Sequence, residues 1–413
     1  MKSSTTIRRL DRYIGSFLCS ILSLINLIKA PRNPDKNVSN ILLIELFEMG
    51  ASIMAYPSIH YIRHNFPNAN IYILTTESIK ASWLKINGID NQNVFALEER
   101  NIIIFLLSFL NNIKLINKKN IDVIIDFELF YRITAIFSFF VKAKFKVGFH
   151  RYNLEGLYRG SIYNFRCHFN QNSHISRNFL ALTKTVLTFS EDYPDYKNSI
   201  DLSELTFGGY QSDPLILEHL EKETQISLDI PYIAISPDVG PNLACRNYPV
   251  DKLVSVINKL LVTYPSHNIF LIGTKENIPV CETIIDTVSN ERLRNLAGKT
   301  LMDELFEVLL KAKLLISNDN GPVHFATLTN TPTLALYSTD SPFVYGSLGR
   351  CVILYSFYQC SPCIMAYNHK NSLCKDNKCL QAIAPESVAE FAVKILNNNV
   401  TYRTINNEHP YLL

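Results

Sequence analysis

A chain of 413 residues with 47% hydrophobic side chains has enough apolar surface for two ordinary cores, so two domains are expected. Its formal net charge of +3 is unevenly placed: residues 1–40 carry seven Lys or Arg against two Asp, an excess of +5 that leaves −2 for the remainder. No basic stripe interleaved with aromatics follows that end, which excludes nucleic acid as a partner.

The basic end surrounds YIGSFLCSILSLINLI, Tyr13 to Ile28, flanked by RRLDR and KAPR. It falls short of the roughly 20 apolar residues of a membrane span, and no small-x-small cleavage site follows it. The composition predicts a basic amphipathic leader helix (residues 1–38) on an anionic membrane surface, with packing on the first domain as the alternative.

Short apolar runs then alternate with helical stretches. Ile41 to Leu46, Ile71 to Leu74, Asn93 to Leu97, Asp122 to Phe127 and Lys146 to Phe149 read as buried strands, which predicts a Rossmann-like first domain over residues 39–210. Polar residues crowd the carboxyl ends of these strands: Glu45 and Glu48, Asp126 and Glu128, His150 and Arg151. GFHRYNLEGLYRG and NSHISRNF concentrate His, Arg and Tyr in expected loops. Arg151, Arg159 and His174 are therefore candidates for binding a hydroxyl-rich acceptor, with loop stabilisation as the alternative.

Residues 211–230 read as a linker, and a second α/β run occupies residues 231–382. Its strands are Pro231 to Ser236, Ile269 to Thr274, Arg294 to Gly298, Leu314 to Ser317 and Thr333 to Tyr337. The turn Asp319-Asn320-Gly321-Pro322 hands a strand over to a helix. Asn320 can cap that helix, Pro322 suits its first turn, and Gly321 allows close approach of a ligand. Such a helix start presents free N–H groups and partial positive charge to an anion. The chain closes with an amphipathic helix and tail over residues 383–413.

The string NDNGPVHFATLTNTPTLALYSTDSP resembles the nucleotide-sugar signature of glycosyltransferase family 9, the heptosyltransferase-like enzymes of lipopolysaccharide core assembly. Asp319, Gly321, Pro322 and His324 match the usual Asp-Ser/Thr-Gly-Pro-x-His, with Asn320 in place of the hydroxyl residue. SPDVGPNLACRNYP and NLAGKTLMDEL resemble two further family segments. Arg246 stands at the family's Lys position before an aromatic-Pro pair, and Lys299 and Thr300 match Gly-Lys-Thr. The order RRLDRYIG also resembles the leader of some members.

The resemblance implies a GT-B fold, two Rossmann-like domains facing a cleft, with a C-terminal helix that packs back across it. It also implies donor binding by Arg246, Lys299, Thr300, Asp319, Asn320, Gly321, Pro322 and His324. In the family the first strand leads to Met/Leu-Gly-Asp, whose Asp is the proposed base. Here Met49 and Gly50 match, but Ala51 replaces the acid. Glu128 and Glu48 are the substitute candidates, Glu128 preferred because it sits past a strand end.

Nine cysteines, an odd number without a clear signal peptide, point to a reducing compartment. Cys360, Cys363, Cys374 and Cys379 have spacings that suit a structural zinc site, with His369 as an alternative ligand. The resulting expectation is an inverting, metal-independent glycosyltransferase without a catalytic cofactor. It would move a heptose or related sugar from a nucleoside diphosphate sugar to a lipid-linked or oligosaccharide acceptor at the cytoplasmic face of the inner membrane. Two alternatives remain open: a non-catalytic relative, motivated by Ala51, and a GT-B enzyme of another class such as a nucleotide-sugar epimerase.

Overall fold

The computed structural model describes residues 9–27, 38–149, 158–188, 199–200, 204–205, 207–365, 372–402 and 411–412. The chain falls into two compact units, Met1–Thr206 with Met365–Asn371, and Phe207–Ile364 with Ser372–Leu413.

The first unit is built on six parallel strands: β1 (Asn40–Ile44), β2 (Asn70–Thr76), β3 (Val94–Leu97), β4 (Val123–Asp126), β5 (Phe145–Phe149) and β6 (Phe165–Cys167). Their order is β3-β2-β1-β4-β5-β6, the doubly wound arrangement whose direction reverses between β1 and β4. Both faces of such a sheet are covered, which is why its strands are continuous apolar runs: Ile41, Leu42, Leu43 and Ile44 are all fully buried. The helices are α1 (Ser16–Leu27), α2 (Met49–Met54), α3 (Tyr56–Asn65), α4 (Lys80–Asn87), α5 (Ile102–Asn117), α6 (Arg132–Phe140) and α7 (Ile175–Thr188). Strand β6 was not expected. Three residues inside a polar loop carry no periodicity, and only pairing with β5 makes them a strand.

Residues 9–27 of the leader are helical, and the inner face of this stretch is packed on this unit. A π-helical turn, Asp11–Gly15, precedes α1, and the Asp11 carboxylate accepts the amides of Arg132 and Ile133 at 3.0 Å. It thereby caps α6, where a negative charge is favoured. Further along, Ser161 N donates to Ser23 Oγ at 2.7 Å and Asn26 Nδ2 donates to Ser161 O at 2.9 Å. Gly160, at φ +76°, lets the loop touch α1: a Cβ there would lie 2.7 Å from the Cys19 carbonyl oxygen.

The second unit repeats the pattern with seven parallel strands: β7 (Tyr232–Ser236), β8 (Asn268–Leu271), β9 (Leu293–Asn295), β10 (Leu314–Asn318), β11 (Thr333–Tyr337), β12 (Cys351–Tyr355) and β13 (Tyr411–Leu412). The order β13-β12-β11-β10-β7-β8-β9 reverses between β7 and β10. Helices α8 (Pro214–Thr224), α9 (Val250–Thr263), α10 (Ile278–Val288), α11 (Met302–Lys311), α12 (Gly321–Thr329), α13 (Pro342–Tyr345), α14 (Lys378–Gln381) and α15 (Pro385–Leu396) flank it. The closing helix α15 buries Val388, Ala389, Ala392 and Ile395 in this unit's core with Val256 and Leu260 of α9. Among the described residues no helix is long and apolar enough to cross a membrane.

Candidate functional site

In doubly wound sheets a ligand sits beyond the carboxyl ends of the strands where the order reverses, because the loops diverge there and leave a crevice. Each unit places some of the expected polar residues at that position.

In the second unit the loop after β7 carries Arg246 at the end of a 3₁₀ turn, Pro241–Arg246. Side-chain amides hold the loop: Asn318 Nδ2 donates to Pro237 O at 2.9 Å, and Tyr248 N donates to Asn318 Oδ1 at 3.0 Å. Arg246 is thereby brought over the end of β10. Its guanidinium pairs with Asp340 and lies 3.8 Å from the Asp319 carboxylate. Three charged groups from three loops meet there, each largely buried.

Asn320 occupies the cap position of α12 in extended backbone, yet its side chain does not cap the helix. Its Oδ1 accepts from Ser317 Oγ at 2.7 Å and its Nδ2 donates to Ser236 Oγ at 2.8 Å, tying β10 to β7. The first-turn amides of α12 thus gain no side-chain acceptor from Asn320. That corrects the expected cap and favours an anion at this end. Gly321 and Pro322 open the helix, and His324 lies in its first turn, 8% exposed.

Lys299 and Thr300 follow β9 at the same edge of the sheet, with Lys299 exposed. β9 is the third strand along from β10, and the turn after it is tied to the loop after β8, where Gly298 N donates to Gly273 O at 2.8 Å. The structure joins Arg246, Asp319 and the Gly321 turn, while Lys299 and Thr300 follow a different strand end. Asp340 was missed in sequence. It lies in the loop after β11, and only the pairing of that strand with β10 brings it to Arg246.

In the first unit Glu45, Asp126 and Glu128 are almost wholly buried at the ends of β1 and β4. Glu128 Oε1 accepts the Leu46 amide at 2.9 Å, and Glu45 Oε1 accepts the Glu48 amide at 2.9 Å. Burial pushes the Glu128 carboxyl up to about 8, reinforced by the charges of Asp126 and Glu48 against the opposing Leu46 amide. Burial, and then Glu128, also hold Glu45 well above the usual carboxylate range. The two share an environment that cannot stabilise two negative charges, so at least one proton is retained near neutrality. Glu48 is half-buried at the cap position of α2, and Ala51 N donates to Glu48 O at 2.9 Å. The carboxylates therefore surround the turn in which Ala51 replaces an acid.

The acceptor candidates separate. Arg151 lies outside the described residues. Arg159 is 1% exposed and points inward: it pairs with Asp126 and donates to Thr134 Oγ1 at 2.7 Å and Tyr163 OH at 2.6 Å. Burial opposes its charge, but Asp126, Tyr163 and Glu128 outweigh it and raise its pKa. A guanidinium so enclosed cannot also hold an acceptor. It fixes Asp126 instead, whose Oδ1 accepts the Glu128 amide at 2.9 Å. His174 is likewise buried, its Nδ1 accepting Ser176 N at 3.2 Å at the start of α7.

The zinc expectation is not supported. Cys360 and Cys374 are exposed, Cys363 is half-buried and Cys379 is buried. Among the described residues no three His, Cys, Asp or Glu side chains are placed to hold a metal ion. His369 lies outside the described residues. Cysteine spacing alone could not reveal this, because convergence of thiols depends on how the intervening loop folds.

Two Rossmann-like domains with charged residues at both reversal points define the GT-B class. The family model for glycosyltransferase family 9 (heptosyltransferase) matches residues 110–373, and the chain belongs to that family. A lipopolysaccharide heptosyltransferase 1 of Campylobacter coli is 21% identical over 73% of this chain and 85% of its own length. A lipooligosaccharide heptosyltransferase 2 of Haemophilus influenzae is 29% identical over 168 residues, 40% of this chain and only 45% of that relative's length. The structure titled E. coli ADP-heptose lps heptosyltransferase II matches the fold with a TM-score of 0.66 at 17% identity, covering 87% of this chain and 99% of that one.

Proposed function

We propose that this chain is an inverting glycosyltransferase that moves a heptose from ADP-heptose to a lipopolysaccharide-core acceptor at the cytoplasmic face of the inner membrane. The observation that carries the reading is the meeting of Arg246, Asp319 and Asp340 beside the uncapped start of α12, at the reversal point of the second sheet. A diphosphate placed there receives the Arg246 guanidinium and the helix amides, a preorganised electrostatic stabilisation of the leaving group that needs no divalent metal. Lys299 and Thr300, farther along the edge, suit the nucleoside end. ADP is supported by a structure titled E. coli heptosyltransferase WaaC with ADP, which shares the fold at a TM-score of 0.62 and 14% identity. The names of the curated relatives support heptose and the lipopolysaccharide acceptor.

In the proposed reaction a carboxylate of the first unit takes the proton of an acceptor hydroxyl. The oxygen attacks the anomeric carbon as the bond to the diphosphate breaks, and ADP departs with the electron pair. Glu128 is the preferred base, since a carboxyl poised at about 8 is a stronger base than an ordinary carboxylate and still ionises near the working pH. Burial, and then the charges of Asp126 and Glu48, raise its proton affinity. The test is ADP release from ADP-heptose in the presence of core lipid and excess EDTA. Release that requires the acceptor supports the reading, while donor binding without turnover favours a non-catalytic relative, the alternative that Ala51 motivates.

A further inference from the structure

Helix α5 is apolar on both sides. Phe105, Phe109 and Ile116 enter the core with Leu42, Ile44 and Phe137. Its opposite face has no partner among the described residues: Ile103, Leu107 and Leu110 are 56–68% exposed. The leader repeats this. Cys19 and Leu22 pack inward, while Tyr13, Phe17 and Leu24 are 65–69% exposed. Helix α6 touches both α5 and α1 and ends in Phe140, 50% exposed. Helix α6 thus joins α1 and α5 on the first unit, and each of the three carries exposed apolar side chains.

Charge around these helices has one sign. Arg9, Arg12, Lys114, Lys118 and Lys142 are exposed. Residues 9–27, 101–121 and 132–149 hold a single carboxylate, Asp11, and it is turned inward to cap α6. Of the two glutamates just before α5, Glu98 pairs with Arg100 and Glu99 accepts the Ser78 amide at 3.2 Å. An apolar surface rimmed by unopposed cations complements a bilayer with anionic headgroups. Apolar side chains enter the acyl boundary while Lys and Arg remain at phosphate level. A soluble protein partner would not require that every rim charge be positive.

We propose that α1, α6 and α5 together form a lipid-docking face that holds the first unit on an anionic membrane, with α5 contributing beside the leader. The leader's own composition did not indicate the part played by α5. Helix α5, of 16 residues, spans roughly 24 Å and lies in the interface plane.

The test is flotation of the full chain with vesicles of phosphatidylethanolamine and phosphatidylglycerol, or of phosphatidylcholine alone, with no sugar substrate present. Wild type floats with the anionic vesicles and is released by high salt. The variant Ile103→Ser/Leu107→Ser/Leu110→Ser changes only exposed positions. It retains its circular dichroism and thermal midpoint, and its bound fraction falls about tenfold or more. Lys114→Glu/Lys118→Glu weakens anionic binding in the same direction. Equal flotation of the triple-serine variant and wild type overturns the proposal, as does a wild type that stays unbound. A wild-type dimer that the serine variant converts to monomer also overturns it, identifying the face as a contact between copies. Because no donor or acceptor enters the assay, its failure leaves the transferase reading untouched.

Discussion

Arg246→Ala separates the two roles the geometry gives this side chain. Its guanidinium is held between Asp319 at 3.8 Å and Asp340, with those carboxylates 7% and 4% exposed. Truncation leaves two buried carboxylates facing each other without a cation, and breaking a buried pair in this way costs about 3 kcal/mol of stability. Binding suffers separately. A hydrogen bond to a charged group contributes roughly 1.5–3 kcal/mol, so losing the fork against a diphosphate weakens ADP binding by about 100-fold at 1.4 kcal/mol per decade. Repulsion from the two carboxylates left without their cation adds to that loss. Arg246→Lys keeps the charge without the planar fork and should fall between the two. Isothermal titration with ADP in EDTA, on variants shown to be folded by thermal denaturation, measures the effect. A folded Arg246→Ala protein that binds ADP within about threefold of wild type would refute the assignment of this crevice to the diphosphate.

Asp340→Asn removes a carboxylate that competes with phosphate for Arg246, so ADP affinity should rise, on the order of tenfold, in the same titration; unchanged or weaker binding would show that Asp340 serves by orienting the guanidinium. Glu128, raised to about 8, binds a proton in the folded chain that the unfolded chain releases above its ordinary pKa of 4.5. Stability is therefore favoured at low pH and declines as pH rises from about 4.5 through about 8. Glu128→Gln should flatten that slope in urea unfolding curves recorded across the window, and should abolish ADP release if Glu128 is the base. Asp11→Ala removes the cap of α6 and the 3.8 Å contact with Arg132, an expected loss of about 2 kcal/mol by chemical denaturation. Gly160→Ala should loosen the leader, because the added methyl meets the Cys19 carbonyl oxygen at 2.7 Å; limited proteolysis in the region of α1 reports it.

The alternation of apolar runs and helices, and the Asp-Asn-Gly-Pro turn, were legible without coordinates because periodicity and turn chemistry are local. They identified the central strands of both sheets and placed Asp319 and Gly321 where a strand passes into a helix. Pairing was not local. Asp340 reaches Arg246 only because β11 lies beside β10, and Arg159 turns inward because Asp126 waits at the end of a buried strand. Asn320 has the right chemistry for a cap, and the neighbouring Ser236 and Ser317 drew it away. The cysteine spacing suggested a metal site, and among the described residues no three such side chains are placed to hold an ion. Which elements exist was written in the order of residues. Which charges meet, and which apolar face of α5 is left uncovered, was decided when strands distant in the chain became neighbours, because burial and Coulomb energies depend on separation in space.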